Sequence, residues 1–268
     1  MTTASAPVIV NRVKQKLAAG DIVLSMLVQQ ARSGHIALAA EACVYDALTV
    51  DLEHSPLSTE TACDILLACL MAGITPLVRV AGANSLELGR LLDAGALGVI
   101  LTHCETAEDA ESLVRACRFP PAGVRSVAPN WPQLGYRRMA APAARAALDA
   151  SMAIIAMIET PAGVHQAEAI AAVDGVDVLQ LGCNDFCDSI GVPGALRDPR
   201  VTDAMTRIVN ACRKHGKAAG VGGTRTDVAL TQSFIRAGVR YVAAGNEWSF
   251  MLGAIHAGAA ELRAVNVN

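Results

Sequence analysis

The segment Ala153-Ile154-Ile155-Ala156-Met157-Ile158-Glu159-Thr160 is a run of apolar residues closed by a carboxylate. An unbroken apolar run of this length, with no polar alternation, reads as a strand buried on both faces, as in a parallel sheet covered by helices. The signature recurs at Ile22–Leu27, Ala47–Leu52, Pro76–Val80, Gly98–Leu101, Val176–Leu181, Ala218–Val221 and Tyr241–Ala244. The starts of the eight runs, at 22, 47, 76, 98, 153, 176, 218 and 241, are mostly one strand–helix unit apart. Helix-like stretches lie between them at Ser58–Ala72, Ser85–Ala94, Ala107–Cys117, Val201–His215, Thr226–Ala237 and Glu247–Arg263. Ser58-x-x-Thr61 and Thr106-x-x-Asp109 read as helix starts, and Gly73, Gly95, Gly216 and Gly238 as helix stops. Eight units with no linker predict one α/β domain over residues 1–268, a closed (β/α)8 TIM barrel. A doubly wound open sheet is the alternative; the absence of Gly-x-Gly-x-x-Gly after the first strand weighs against it. Two intervals are long. Their extra residues, Arg118–Ala150 after strand 4 and Gly182–Pro199 after strand 6, are expected at the C-terminal face, where barrels build active sites.

Composition narrows the function classes. The 268 residues are 53% hydrophobic and 18% charged, with nine aromatics and a mean hydropathy of +0.37. That hydropathy suggests a membrane, but the longest apolar run, Ile65 to Val78, is broken by Gly73, Thr75 and Pro76. A spanning helix needs about 20 apolar residues. The net charge is −3, and the absence of a long basic run argues against nucleic acid as a partner. Met1 to Val10 lacks the charged start of a secretory leader. Eight cysteines scattered through apolar stretches then read as reduced core residues of a cytoplasmic protein.

Chemistry is sought where strands end in charge, because half-burying a charge costs several kcal/mol unless it is paired or metal-bound. Strand 2 ends Asp51-Leu52-Glu53-His54, strand 3 in Arg79, strand 5 in Glu159, and strand 6 in Gly182-Cys183-Asn184-Asp185. A solvated loop or a rim salt bridge explains any one of these equally well. Glu159 and Asp185, ending neighbouring strands, together suggest a hard oxygen site suited to Mg²⁺ or Mn²⁺ with open positions for a 2-keto acid. Arg79 would add a fixed positive charge, and His54 is the candidate for proton transfer. His103, after strand 4, could line the pocket; His35, His165, His215 and His256 fall in helix patterns and read as surface residues. Cys183 and Cys187 flank Asp185 without zinc or redox spacing and read as pocket wall. Gly220 to Gly223 occupies a place where many barrels bind phosphate, though turn glycines explain it as well.

Taken in order, these pieces resemble the HpcH/HpaI aldolase family of metal-dependent class II pyruvate aldolases. The resemblance runs from Asn11-Arg12-Val13-Lys14 through Asp51-Leu52-Glu53-His54, Arg79, Leu91-Leu92-Asp93-Ala94-Gly95-Ala96, Pro120-Pro121-Ala122-Gly123-Val124-Arg125 and Ile158-Glu159-Thr160 to Gly182-Cys183-Asn184-Asp185. It implies that Glu159 and Asp185 hold a divalent metal ion (Mg²⁺, Mn²⁺ or Co²⁺). By the same resemblance His54 moves the proton, and Arg79 stabilises the enolate. Asp93, with Asp51, supports His54, in part from a neighbouring subunit. Backbone amides at Asn184 and Asp185 hold the pyruvate carboxylate. It further implies a hexamer built from dimers that exchange the C-terminal helix, and cleavage of a 4-hydroxy-2-oxo acid to pyruvate and an aldehyde.

The departures border the pocket. Met157 stands where many members have glutamine, Leu101-Thr102-His103-Cys104 replaces a proline-containing segment, and Cys183 replaces a proline. The aromatic near the end of strand 1 is missing around Met26. Two other functions stay open at this point: a citrate-lyase-like or malyl-CoA-lyase-like activity, and a non-catalytic barrel that binds a keto acid. The stretch Pro129 to Ala150, with Trp131, Tyr136, Arg137 and Arg138, could contact the aldehyde, or be solvated or at a subunit interface.

Overall fold

A computed structural model of the chain describes residues 9–83 and 86–265. Eight parallel strands close into a barrel in sequence order: β1 (Val23–Val28), β2 (Ala47–Asp51), β3 (Thr75–Val80), β4 (Gly98–Leu101), β5 (Ala153–Ile158), β6 (Val178–Gly182), β7 (Ala218–Gly222) and β8 (Val239–Asn246). Pairing of β8 with β1 completes the ring and excludes the open sheet. The predicted strands lie within two residues of the observed ones at both ends. β6 starts late because Asp177 is an anchor: its carboxylate meets Lys14 Nζ at 2.8 Å and accepts the Ile154 N–H at 2.8 Å.

The helices are α1 (Arg12–Ala19), α2 (His35–Ala42), α3 (Thr59–Ala72), α4 (Leu86–Asp93), α5 (Ala107–Cys117), α6 (Ala141–Ser151), α7 (Pro161–His165), α8 (Ala167–Ala172), α9 (Cys183–Ser189), α10 (Pro199–His215), α11 (Val228–Ala237) and α12 (Glu247–Arg263). Ser58 caps α3, and Thr106 with Asp109 forms a reciprocal capping box on α5, as the sequence spacing predicts. The predicted start of a helix at Ser85 lies outside the described residues, as does most of the stretch from Met1 to Val10. Among the described residues no helix is long and apolar enough to cross a membrane.

Residues alternate along β5: Ala153, Ile155 and Met157 fill the barrel interior, while Ile154, Ala156 and Ile158 pack under the helices. Burial on both faces is why the strand reads as one apolar run. Asn11 closes the N-terminal end of the barrel. Its side-chain oxygen caps α1 by accepting the Lys14 N–H, and its amide donates to the carbonyls of Leu97 (2.9 Å) and Ser151 (2.7 Å), just before β4 and β5.

The first long extension lies at the other end from the one expected. Helix α5 intervenes between β4 and this segment and carries the chain back to the N-terminal end. Residues 118–140 therefore run beneath the barrel, and α6 then leads into β5. Gln133 Nε2 donates to the carbonyls of Leu92 (2.7 Å) and Ala96 (3.3 Å), and Phe119, Trp131, Leu134, Ala144 and Leu148 form a cluster of their own. Within one chain Tyr136, Arg137 and Arg138 are exposed at that end and do not reach the mouth. Pro142 sits in the first turn of α6, where proline is tolerated. Only the second extension, through α9, borders the mouth.

The Asn11 seal generates a stability prediction. Asn11→Ala removes a helix cap and leaves the buried Ser151 carbonyl unpaired, while the Leu97 carbonyl keeps the Ala153 N–H, an expected loss of about 2–3 kcal/mol. Asn11→Asp keeps the cap but cannot donate, so its denaturant midpoint should fall between those of Asn11→Ala and the parent.

Candidate active site

The interaction that orders the mouth is a buried ion pair across β2 and β3. Asp51 and Arg79 are register neighbours. Arg79 donates from Nε to Asp51 Oδ1 (2.9 Å) and from Nη2 to Oδ2 (2.6 Å), a two-point clamp. Gln29 Nε2 adds a bond to Oδ2 at 2.8 Å. Burial alone would raise the Asp51 carboxyl; the bonds and charge of Arg79, with Gln29, outweigh it and hold the group below the usual carboxylate range. Asp51 Oδ1 also accepts the backbone N–H groups of Glu53 (3.1 Å) and His54 (3.3 Å), and the Ser55 hydroxyl donates to the Asp51 carbonyl. One carboxylate thus fixes the guanidinium and folds the loop that carries His54. Asp51 acts on the His54 backbone rather than on its imidazole.

Acids gather beside this pair. Glu159 is 2% exposed, and its Oε2 accepts the His103 N–H at 2.8 Å. His103 achieves this with φ at 51°, in the left-handed region, which is uncommon outside glycine. Its imidazole lies between Glu53 Oε1 (3.2 Å) and Glu159 Oε2 (3.4 Å). Glu53 also accepts from the Thr102 hydroxyl at 2.8 Å and lies 3.5 Å from both Arg79 Nε and His54 Nε2. Burial pushes the Glu159 carboxyl up to about 7; His103 opposes the rise, and Asp185 and Glu53 add to it. Glu53 Oε2 is buried with no hydrogen-bond partner among the described residues. Arg79 and His54 meet the Glu53 oxygen only at ion-pair distance, and a buried acid crowded by two others beside an oxygen with no hydrogen bond is a donor set that a divalent cation fits.

Of these groups Arg79, His54 and Asp185 reach a cavity of about 380 Å³, which Met157, Gln180 and Asn184 also line. Asn184 and Asp185 reach it from the first turn of α9. Gly182 is forced by the close approach of β5: a Cβ there would lie 2.6 Å from Met157 Cε and 2.8 Å from Glu159 Oε1. Cys183 lines the wall. Burial pushes its thiol up to about 12, so it stays protonated and inert, and all eight cysteines are free.

The structure thus brings His54, Arg79, Asn184 and Asp185 around one cavity, with Glu159 packed against its wall at Gly182. Asp93 is not among them within one chain. It ends α4 at the opposite end of the barrel and pairs with buried Arg125 (3.1 Å). Other lining residues went unread in the sequence: Gln29, Gln180, Arg225, Asn246 and Ser249. Gln180 left a signal, a polar residue inside the apolar run of β6. It is 3% exposed, its Oε1 has no partner among the described residues, and it pairs in register with Met157. The amide missing at position 157 therefore has a counterpart at the same level on the next strand. Glu247, the first residue of α12, accepts the backbone N–H groups of Gln29, Gln30 and Ala31 at 2.6–3.1 Å and so secures the loop that bears Gln29.

A closed barrel with an arginine, a histidine and several acids at the C-terminal ends of its strands is the layout of a barrel enzyme. The family profile described as HpcH/HpaI aldolase/citrate lyase matches residues 24–253. A 4-hydroxy-4-methyl-2-oxoglutarate aldolase from Chaetomium globosum is 39% identical over 217 residues, 80% of each chain. A hydroxypyruvate/pyruvate aldolase from Roseobacter denitrificans is 30% identical over 92% of this chain and 94% of its own. The crystal structure of a HpcH/HpaI aldolase/citrate lyase family protein from Burkholderia cenocepacia superposes with a TM-score of 0.85 at 31% identity, covering 95% of this chain and all of that one. The chain belongs to the HpcH/HpaI aldolase/citrate lyase family and is a carbon–carbon lyase of the aldolase type.

Asp51→Asn would strand the Arg79 charge in a buried place, at an expected cost of about 3–5 kcal/mol at neutral pH. The folded-state pKa of Asp51 is lowered, so its stabilising effect is full above the ordinary carboxylate range and is lost as pH falls through the lower folded value. The variant's melting temperature should therefore fall less steeply than the parent's on acidification, as thermal melts from about pH 3 to about pH 7 would show.

Proposed function

We propose that the protein cleaves a 4-hydroxy-2-oxo acid to pyruvate and an aldehyde, and runs the reverse addition. The observation that carries this reading is Arg79, clamped by Asp51, and Asp185 at one cavity, with Glu159 packed against its wall. Retro-aldol cleavage removes the proton of the C4 hydroxyl, breaks the C3–C4 bond and sends the electron pair to the C2 oxygen. His54, exposed at the mouth with Glu53 3.5 Å from its Nε2, takes that proton and returns one to C3. Arg79 is held rigid by Asp51, so its charge is already aimed when negative charge develops on the C2 oxygen. Backbone amides at Asn184 and Asp185 orient the substrate carboxylate. The relatives named above support the reading, being aldolases of oxo acids by name.

Glu159 and Asp185 are the residues that would hold a divalent cation. Among the described residues no three His, Cys, Asp or Glu side chains converge as a metal cage, so such an ion would take its remaining ligands from substrate and water. Mg²⁺, Mn²⁺ and Co²⁺ all suit this donor set, and a bound ion supplies Lewis acidity at the 2-oxo group.

We propose a homo-oligomer, a hexamer as a trimer of dimers, in which α12 packs on a second copy. None of the 17 residues of α12 is buried in the chain alone, and Trp248, Met251, Leu252, Ile255 and Leu262 are exposed on it. Subunits assembled this way could also bring Asp93 of one chain toward His54 of another.

Two outcomes are expected. Glu159→Ala should abolish metal-dependent pyruvate release and the exchange of pyruvate methyl protons in D₂O, read by NMR, and Arg79→Ala should slow both by about 10²-fold or more; exchange that persists in Glu159→Ala or in excess chelator would overturn the reading. Ile255→Glu should lower the mass measured by light scattering; an unchanged mass would remove α12 from the interface.

A further inference from the structure

Gln180 stands on β6 among apolar neighbours, is 3% exposed and lines the cavity. Its Oε1 is buried without a partner, and its side chain makes no hydrogen bond among the described residues. Other polar side chains on the cavity wall are engaged. Arg79 and Gln29 are both bound to Asp51, and Asn246 caps α12. The Arg225 guanidinium rests on the Phe250 ring, 5.1 Å from its centre, with its stem over Gly245. Burying an amide that bonds to nothing costs stability, so its presence in an apolar strand calls for a ligand.

The glycines of β7 show where the amide points. Gly220 and Gly222 are the register neighbours of Gln180 and Gly182. A Cβ at Gly222 would stand 2.7 Å from Gln180 Nε2, and one at Gly220 would stand 3.2 Å from Gln180 Cβ. Neither glycine has a positive φ, so space alone calls for them, and Gln180 fills it. Gly223 does have φ at 82°, and a Cβ there would meet the Asn184 backbone nitrogen at 3.1 Å. Gly222, Gly223 and Asn184 all line the cavity. Two N–H donors therefore flank one bare glycine wall: Gln180 Nε2 on the strand and the Asn184 N–H beyond its end. The run Gly220 to Gly223, which sequence alone leaves between a phosphate loop and plain turns, is the wall of this cradle. It lies on β7, across the ring from β3 and Arg79.

We infer that Gln180 donates from Nε2 to the carboxylate on C1 of the substrate, and so selects 2-oxo acids over their neutral amides. The inference rests on the aldolase reading, in which Asn184 and Asp185 hold that carboxylate, and adds a side-chain donor beneath it. A neutral amide suits the place. It holds the anion without adding a charge that would draw the electron pair away from the C2 oxygen beside Arg79. Gln180 touches the substrate but moves no proton.

The test follows deuterium uptake into the methyl groups of pyruvate and pyruvamide in D₂O by mass spectrometry, with Mn²⁺ present. The parent should favour pyruvate in KM by about tenfold or more. Gln180→Leu should raise the pyruvate KM by about tenfold or more, with the loss in KM rather than in the saturated rate, and narrow the gap between the two compounds. Gln180→Glu sets an acceptor against the carboxylate, so it should shift the preference toward pyruvamide, whose amide can donate. Thermal melts separate binding from scaffold: Gln180→Leu removes an unpaired buried amide, so its melting temperature should match or exceed the parent's. An unchanged pyruvate KM in Gln180→Leu, or a lower melting temperature with both compounds slowed alike, would overturn the inference and leave the aldolase reading standing. A parent that exchanges neither compound would overturn both.

Discussion

A guanidinium and a carboxylate locked together at the ends of β2 and β3 set the geometry of the whole mouth. Asp51 has two oxygens, and both are fully used: by Arg79, by the amide of Gln29, and by the backbone of the loop leading to His54. Such a pair is costly to bury and is worth keeping where it fixes direction. Here it holds the positive charge of Arg79 next to a nest of acids that would otherwise repel one another. Glu53 and Glu159 both act on Arg79 electrostatically, so the cationic and anionic halves of the site hold each other in place.

The barrel was legible because its strands are buried on both faces. β5 and β4 begin and end where the apolar runs do, and α5 begins where Thr106 and Asp109 cap it. Helices α2, α6 and α9 were not legible. They are short and rich in small or mixed residues, so no face contrasts with another. The prolines of residues 118–140 hid α6 as well. Sequence spacing also does not say at which end of the barrel an insertion lies; that depends on whether a helix has already carried the chain back. For this reason residues 118–140 read as mouth when they form a floor.

The site was legible to the extent that it is made of charges at strand ends. His54, Arg79, Asp185 and Glu159 emerge from that rule, and the first three line one cavity with Glu159 behind its wall, while Asn184 entered by resemblance and lines the same cavity. Asp93, which entered by resemblance, ends at the far side of its own chain, against Arg125. Residues that act through tertiary placement left little trace. Arg225 depends on Phe250 and Gly245 from another element, and Glu247 on a loop more than 200 positions away. Gln180 went unread although it interrupts an apolar run: it places an amide level with Met157 on the adjacent strand.

The floor under the barrel has a consequence for how such a protein can change. Asn11 ties α1 to the carbonyls before β4 and β5, and residues 118–140 add a separate apolar cluster beneath them. Closure of the ring is thus secured at the end remote from the chemistry. Exposed positions at the rim such as His103 and Arg225 can then change with little effect on the packed scaffold, whereas the buried base is less tolerant. Such an architecture separates evolvability from foldability along a single axis: new substrates can be tried at one end while the other holds the shape.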